Sequence, residues 1–194
     1  EFTVQLDRQA ADGDGCAVSK LLGQALCAFD RMEMDKRQDL LVRYYTLQRI
    51  GLKFFATRSM PQTGLETMQH YNKEVQTPEG TTQLSTLTTR LRVGLEVALT
   101  VFNEHAFKRA MPLCPDGAAP RSDTNVWSSH TAINRAMWDC MLYCLCEPSR
   151  KERLIARASE LQWRLVDAMQ THRAFERMNA RGIEERVGVI ESVI

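Results

Sequence analysis

Apolar residues recur along this chain at intervals of three and four positions, the spacing of one face of an α-helix. Alternating apolar and polar residues, the pattern typical of a half-buried β-strand, are nearly absent. A length of 194 residues is enough for one domain with a substantial core. The spacing therefore predicts an all-α fold, an irregular multi-helix bundle with about seven to nine helices.

Glycine, proline and short polar residues separate the predicted helices. The helices are expected at 16–29, 36–56, 63–73, 83–103, 130–146 and 149–170, followed by two short helices interrupted at Gly182. Thr63 with Glu66, and Ser149 with Glu152, have the spacing of capping boxes. Helix 130–146 is apolar nearly all round, which predicts a position at the centre of the fold, and Trp138 and Trp163 are expected in the core.

The two ends of the chain differ in pattern. Residues 1–15 contain Asp-Gly-Asp-Gly and are predicted to be an N-terminal loop or a vector-derived remnant. A helical domain is expected over 16–194, with a loop insertion at about 111–129 marked by three prolines and a glycine. The chain begins Glu1-Phe2 without an initiator Met, which indicates an excised piece and predicts a missing upstream domain.

Composition limits the classes of function. The net charge is +1, so any contact with nucleic acid would have to come from a local cluster of basic residues. No apolar run approaches the roughly 18 to 20 residues that span a bilayer, so no membrane partner is expected. Six cysteines without a secretory signal or a small-loop scaffold indicate a cytoplasmic protein with reduced thiols.

Three cysteines in one predicted helix raise the alternative of a zinc site. Cys140 and Cys144 share a helix face, whereas Cys146 points away from Cys144, and His130 lies upstream. Cysteine is also a small apolar residue of protein cores, and this interpretation is favoured over metal binding. No nucleotide-binding glycine loop, nucleophile elbow or paired metal motif occurs. The sequence therefore assigns no catalytic residue, no metal ligand and no cofactor.

Basic residues cluster at the start of the predicted helix 149–170. The candidate nucleic-acid-binding residues are Arg150, Lys151, Arg153 and Arg157. Cations near a helix N-terminus oppose the helix dipole, so their position there does not serve helix stability. They are candidate ligands of phosphate groups, and the alternative is a solvated charged face, because Glu152 and Glu160 lie among them.

Four segments resemble, in order, the helical C-terminal region of the GmrS-like proteins, the DGQQR-motif, ParB/sulfiredoxin-like family of restriction and phage-defence systems. Residues 36–47 resemble its (K/R)R-x-(D/E)-x-L-V-L-R-F-F-A-L signature, and 65–68 resemble FL-x-x-x-M. Residues 102–109 resemble F-x-x-x-A-F-R-R, and 133–139 resemble I-N-K-A-L-F-D-A. Phe175 and Arg186 are similar to a late F…R pair, so the resemblance covers about 16–190.

The resemblance implies a function and a partner. Members of the family join a nucleotide-hydrolysing module to such a helical region, many add an HNH-type nuclease, and the whole acts on modified or foreign DNA. Neither the DGQQR motif nor an HNH motif occurs here, so no catalytic residue carries over. The expected function is a helical domain that supports a nucleotide-hydrolysing or nuclease module and contacts DNA.

A helical protein–protein interaction module without a nucleic-acid role is the alternative. In that case the apolar stripe of Leu40, Tyr44 and Leu47, or another unpaired helix face, would bind a partner subunit or a second copy of the chain. Salt-dependent DNA binding separates this alternative from the first hypothesis, and concentration-dependent association tests it directly.

Overall fold

The computed structural model describes residues 34–57, 60–108, 110, 133–176 and 182–194, and at 34–38, 60–63 and 104 the backbone alone. Within these ranges the chain forms eight α-helices and no β-strand, which confirms the predicted all-α, multi-helix bundle. The helices are α1 (Met34–Tyr45), α2 (Leu52–Thr57), α3 (Met60–Glu74), α4 (Pro78–Phe102), α5 (Arg135–Leu145), α6 (Lys151–Ala156), α7 (Ala158–Thr171) and α8 (Ile183–Val193). The N-terminal loop 1–15, the helix 16–29 and the loop 111–129 lie outside the described residues.

Helix α5 lies at the centre of the described fold, as its sequence predicted. Asn134 caps it, because its side-chain oxygen accepts hydrogen bonds from the backbone N–H groups of Ala136 and Met137, at 3.0 and 3.2 Å. Nine of its eleven residues are buried, mainly against α4 and α8. A Cβ atom on Gly94 of α4 would lie 2.9 Å from Leu142 Cδ2 and 3.3 Å from Cys146 Cβ, so a larger residue there would force these neighbours to shift.

Helix α4 is the longest, at 25 residues, and begins before the predicted start at 83. Thr77 accepts a hydrogen bond from Gly80 N at 3.0 Å and so caps the helix, with Pro78 in its first position. Residues 77–80 therefore form the cap and the first turn of α4. The inward face consists of Leu84, Leu87, Leu91, Leu95, Ala98 and Phe102.

The helix predicted over 36–56 is broken, which corrects the expectation of one continuous helix. Helix α1 ends at Tyr45, a π-helical turn follows over Thr46–Ile50, and Gly51 adopts φ +116° and ψ 161° before α2 begins. Only glycine adopts this backbone conformation readily. The spacing of apolar residues predicts only which face of a helix is buried. The periodicity of the segment therefore could not show the break.

Helix α3 begins at Met60, and Pro61 and Gly64 lie within it. The prediction that the helix begins at 63, with Thr63 as a capping residue, is wrong. Proline is tolerated in the first turn because the N–H groups there have no partner within the helix. The chain therefore enters α3 three residues before Thr63.

The helix predicted over 149–170 consists of two helices. Pro148–Arg150 forms a 3-10 turn, and α6 and α7 meet at Arg157, which has φ −107° and ψ 21°. The predicted capping box is wrong, because Ser149 lies inside the 3-10 turn and its hydroxyl donates to Glu147 Oε1 at 3.3 Å. The predicted interruption at Gly182 is confirmed, because α8 begins directly after it.

The stripe of Leu40, Tyr44 and Leu47 is part of the core. Each of the three is buried, so the hypothesis that this stripe binds a partner is wrong. Tyr44 Oη also donates a hydrogen bond to the Leu87 carbonyl at 3.2 Å, which fixes α1 against α4. In the part of the chain that the structure describes, none of the helices has the length and apolar character needed to cross a membrane.

Candidate functional site

Residues of five segments, among them Tyr143 and Cys144 of α5, meet around a cleft of about 350 Å³. The segment that follows α1 contributes Gln48 and Gly51, α4 contributes Arg90, the residues around Pro148 contribute Glu147 and Arg150, and α8 contributes Glu191. A volume of this order is at the lower end of the range for small-molecule sites, which in helical bundles lie between helices. We call this feature the π-turn cleft.

The π-helical turn shapes one wall of the cleft. Gly51 N donates to Thr46 O at 3.0 Å, the i to i+5 bond of a π-helix. Such turns are rare and occur frequently at functional sites. A Cβ atom on Gly51 would meet nothing within 4 Å, so glycine is needed for the backbone angle and not for space.

The charges of the cleft are balanced. Arg150 Nη1 donates to Glu191 Oε2 at 2.9 Å, whereas Arg90 Nη2 lies 3.5 Å from Glu147 Oε2 and 3.6 Å from Cys146 Sγ. The hydrogen bond from Arg150 is of ordinary length, Arg90 Nη2 donates to the Cys146 sulfur, and the ion pair of Arg90 with Glu147 is long. Two guanidinium groups and two carboxylates thus lie at one cleft.

Two nitrogen atoms at the cleft are buried and have no hydrogen-bond partner among the described residues. They are the side-chain amide nitrogen of Gln48 and the Nε of Arg90. A buried donor without a partner costs about 1 to 3 kcal/mol, and neither nitrogen is exposed to the open space of the cleft. This pairing of unsatisfied donors could not be found from the sequence, because Gln48 and Arg90 are far apart along the chain.

The predicted basic cluster is dispersed in the structure. Arg150 lies at the π-turn cleft, Lys151 pairs with Glu96 of α4, and Arg157 Nε donates to Glu160 Oε2 at 2.9 Å. Arg153 is exposed and has no ion-pair partner within the described ranges. Three of the four predicted residues therefore contact carboxylates instead of forming one open basic face.

Trp163 is exposed, which corrects its predicted place in the core. Its exposed fraction is 54%, whereas Trp138 is fully buried as predicted. The buried face of α7 is formed by Leu161, Leu165 and Ala168, and Trp163 lies two residues beyond Leu161, about 200° around the helix. The spacing itself therefore contained the signal that Trp163 faces outward, beside Arg164.

The three cysteines of the central segment are buried, which confirms their predicted place in the core. Burial raises the pKa of the Cys140 thiol to about 12, and it raises the pKa of Cys144 well above its ordinary value. The Cys140 thiol donates to the Ala136 carbonyl at 2.9 Å. Thiols held neutral in this way are poor nucleophiles and poor metal ligands. No group of three residues within the described ranges could hold a metal ion.

A second polar network was missed by the sequence analysis. Tyr45 Oη donates to Glu74 Oε2 at 2.5 Å and lies 2.8 Å from His70 Nδ1. Arg49 Nε donates to Glu74 Oε1 at 2.9 Å. Burial would raise the pKa of Glu74, but the hydrogen bonds from Arg49 and Tyr45 outweigh it and lower that pKa. The network fastens α1 and the π-helical turn to α3.

The segments that carry the family resemblance meet in the core. Arg43 Nε donates to Asp139 Oδ1 at 2.9 Å, and Arg43 Nη2 donates to Oδ2, so the two motifs share a buried bidentate ion pair. Trp138 Nε1 donates to the Leu40 carbonyl at 3.0 Å, and the Trp138 ring packs against Phe107. Thr67 is buried against Thr46, with 2.7 Å between their hydroxyl oxygens. These buried residues of the motifs therefore serve packing, whereas Leu65 and Met68 of the segment 65–68 are exposed.

Comparisons of the chain with protein-family models, with curated proteins and with solved structures found no match.

Proposed function

We propose that this chain is a supporting domain that packs against a nucleotide-hydrolysing or nuclease module of a restriction or phage-defence protein. The docking surface is the exposed apolar face of α3 formed by Leu65 and Met68, which we call the α3 patch. The observation that carries the proposal is their exposure, 61% for Leu65 and 59% for Met68. These are two large apolar side chains that the core of this chain does not use.

The geometry of α3 supports a docking face. Leu65 and Met68 are three positions apart and therefore lie on one side of the helix. Thr67 and Tyr71 of the same helix are buried, so α3 packs against the core through a neighbouring part of its surface. Adjacent exposed apolar side chains of this kind mark interaction surfaces more often than solitary ones do.

The identity of the partner rests on the resemblance. Leu65 and Met68 both belong to the segment that resembles FL-x-x-x-M, and the buried residues of the neighbouring motifs pack together behind it. The resemblance implies that such a helical region is joined to a nucleotide-hydrolysing module, which is the partner in this proposal. We therefore propose that the α3 patch is the surface that binds that module.

The test measures binding of the chain to a separately purified nucleotide-hydrolysing module that bears the DGQQR motif. Leu65→Gln with Met68→Gln keeps good helix formers and removes the apolar surface. We expect the affinity measured by calorimetry to fall at least about tenfold, which is 1.4 kcal/mol, while the free energy of unfolding is unchanged. Trp163→Gln, on a different helix, is the matched control. Equal binding by the double variant, or no binding by the unmodified chain, would overturn the proposal.

DNA contact is a second candidate function, and one observation favours it. Trp163 is exposed next to Arg164, and Arg164 shares the carboxylate of Glu160 with Arg157, so two guanidinium groups face one carboxylate. Arg153 adds a further exposed cation on α6. An exposed aromatic ring beside arginines can stack on unpaired bases while the cations contact phosphates.

Fluorescence anisotropy with labelled single-stranded and duplex DNA at two salt concentrations tests this second function. We expect binding that weakens with salt, with a slope of about −0.7 for each phosphate contacted on a single strand. Arg153→Ala with Arg157→Ala should lower that slope, and Trp163→Ala should weaken single-strand binding selectively. Binding that is absent, or insensitive to all three substitutions, would remove DNA from the proposed function.

A further inference from the structure

We propose that the exposed side of α3 pairs antiparallel with α3 of a second copy of this chain, so that self-association covers the α3 patch until the module binds. The inference concerns the regulation of that patch, and it rests on the proposed function only for the identity of the competing partner. Two observations carry it, namely the spacing of the exposed residues along α3 and the order of two charged residues beside them.

The exposed residues of α3 have the spacing of a seam between paired helices. Leu65, Gln69 and Asn72 follow one another at intervals of four and three positions, and all three are exposed. Met68 is exposed beside them, and at about 100° per residue the four lie within an arc of about 100°. Thr67, about 200° around the helix from Leu65, is buried. These four exposed residues, which we call the α3 seam, therefore point away from the core of their own chain.

The composition of the α3 seam predicts a weak pair with a defined register. Leu65 and Met68 supply apolar contact, and Gln69 and Asn72 supply neutral amides, which specify the register of paired helices and lower their stability. Helix α3 has 15 residues, and a contact between two helices of that length falls below the roughly 1,200 Å² that separates stable from transient complexes. We therefore expect a dissociation constant on the order of 0.1 mM.

Two charged residues beside the α3 seam determine the direction of the pair. Glu66 and Lys73 are seven positions apart, so they lie on one edge of α3, about 20° from each other around the helix. Neither takes part in an ion pair with another residue of the described ranges. In an antiparallel pair the same edges of the two copies meet and the order of residues is reversed. Glu66 of each copy then lies near Lys73 of the other, which makes the contact self-complementary.

A parallel pair does not match these charges. A twofold axis along two parallel helices brings the edge that carries Glu66 and Lys73 against the edge that carries Met68. Both charges would then face an apolar side chain instead of each other. The antiparallel arrangement is therefore favoured, because it adds two ion pairs and leaves the apolar edges of the two copies in contact.

Pairing and docking use the same side chains. Leu65 and Met68 form the α3 patch and also belong to the α3 seam, so a paired chain does not present the patch to the module. Because the pair is weak, a module that binds with a dissociation constant well below about 0.1 mM displaces the second copy. Self-association therefore covers an apolar surface in chains that have not bound the module.

Sedimentation velocity of the full chain from about 10 μM to about 1 mM measures the pair. We expect a reversible monomer–dimer equilibrium that weakens as salt is added, because exposed ion pairs are screened. Lys73→Glu and, separately, Glu66→Lys place like charges opposite each other and should weaken pairing at least about fivefold. The exchange variant, Glu66→Lys with Lys73→Glu, restores both ion pairs and should pair within about twofold of the unmodified chain.

A mixture and a control complete the experiment. The two single variants have complementary edges, so their mixture should associate more tightly than either variant alone. Arg153→Glu on α6 changes the net charge by the same amount as Lys73→Glu and should leave pairing unchanged. A chain that stays monomeric at about 1 mM, an exchange variant that pairs no better than the single variants, or lost pairing in the control would overturn the proposal.

The docking test has a separate outcome. A monomeric chain that binds the module through Leu65 and Met68 would remove the pair and keep the proposed function. A pair that forms and responds to the charge exchange, in a chain that does not bind the module, would keep the pair and remove the proposed function.

Discussion

Two regions of this protein use the same residue types in opposite environments. In the centre, Arg43 and Asp139 form an ion pair with side chains only 8% and 2% exposed, next to the buried Trp138. On the surface of α6 and α7, Arg157 and Arg164 contact Glu160 next to the exposed Trp163. The sequence contains arginine, carboxylate and tryptophan in both places. Burial, and not residue type, decides what each group contributes.

The physical reason is the cost of removing charges from water. In the centre, Arg43 has lost its hydration and depends on Asp139 and on the Phe55 ring, whose centroid is 4.9 Å from the guanidinium carbon. Burial raises the pKa of Asp139 even though the hydrogen bonds from Arg43 oppose it. On the surface, water replaces a lost partner, so a single ion pair contributes little.

The largest expected effect comes from breaking the central pair. Asp139→Ala leaves the Arg43 guanidinium buried without its carboxylate, and we expect the free energy of unfolding in urea to fall by about 3 to 5 kcal/mol. The double variant Arg43→Met with Asp139→Leu removes both charges and should be closer to the unmodified chain. A loss below about 1 kcal/mol for Asp139→Ala would show that the pair is hydrated.

The two tryptophans provide a matched comparison. Trp138→Phe removes the indole N–H that bonds to the Leu40 carbonyl and leaves that oxygen buried, which should cost about 1 to 3 kcal/mol in addition to lost packing. Trp163→Phe should change stability by no more than about 0.5 kcal/mol. Thermal unfolding of both variants under one condition makes the comparison, and equal losses would contradict the different environments of the two rings.

Glu74 occupies an intermediate environment, and its contribution depends on pH. Because its pKa is lowered in the folded state, its stabilisation is fully present above its ordinary pKa of about 4.5. That stabilisation is lost as the pH falls through the folded-state pKa, which lies below 4.5. Glu74→Gln should lower the stability at pH 7 by about 1.5 kcal/mol, as expected for hydrogen bonds to a charged group.

The control for Glu74 is Asp167→Asn, at an exposed position of α7. The free energy of unfolding in urea is measured between pH 3 and pH 7. Glu74→Gln should reduce the loss of stability at acid pH more than Asp167→Asn does. Identical curves for the two variants would contradict a role for the network of Tyr45, Arg49 and Glu74.

The smallest expected effect belongs to the surface pair of Arg150 and Glu191. Their side chains are 39% and 37% exposed, so Arg150→Ala should lower stability by at most about 1 kcal/mol, and by less at high salt. Urea unfolding at low and high ionic strength measures both effects. A loss as large as that of Asp139→Ala would show that this pair is also desolvated.

Much of the fold follows from the sequence, and the failures have physical causes. The spacing of apolar residues predicted the all-α class and the central place of α5, because a helix that is apolar on every side has to be surrounded by protein. The break at Gly51 was missed, because it depends on one backbone angle that leaves the apolar spacing unchanged. The start of α3 was misplaced, because proline is excluded from the interior of a helix but tolerated in its first turn.

The candidate site was less predictable than the fold. Of the four predicted basic residues, only Arg150 lies at the π-turn cleft, and Gln48 and Arg90 were not singled out. A site of this kind depends on residues from five segments, several of which are far apart in the sequence. In the sequence, the residues of the α3 patch were recognised only as part of a motif. That motif does not show that Leu65 and Met68 are exposed while Thr67 is buried.

The sequence by itself determined the helical class, the place of the central helix and the burial of its cysteines, because these depend on local spacing and on the transfer of apolar groups from water. Only the tertiary structure decided which arginine lost its hydration, which tryptophan faced solvent and which donors were left without partners. Those outcomes depend on distances between segments remote in the chain, and the energy of a charge or a hydrogen bond changes severalfold with the surroundings that those distances create.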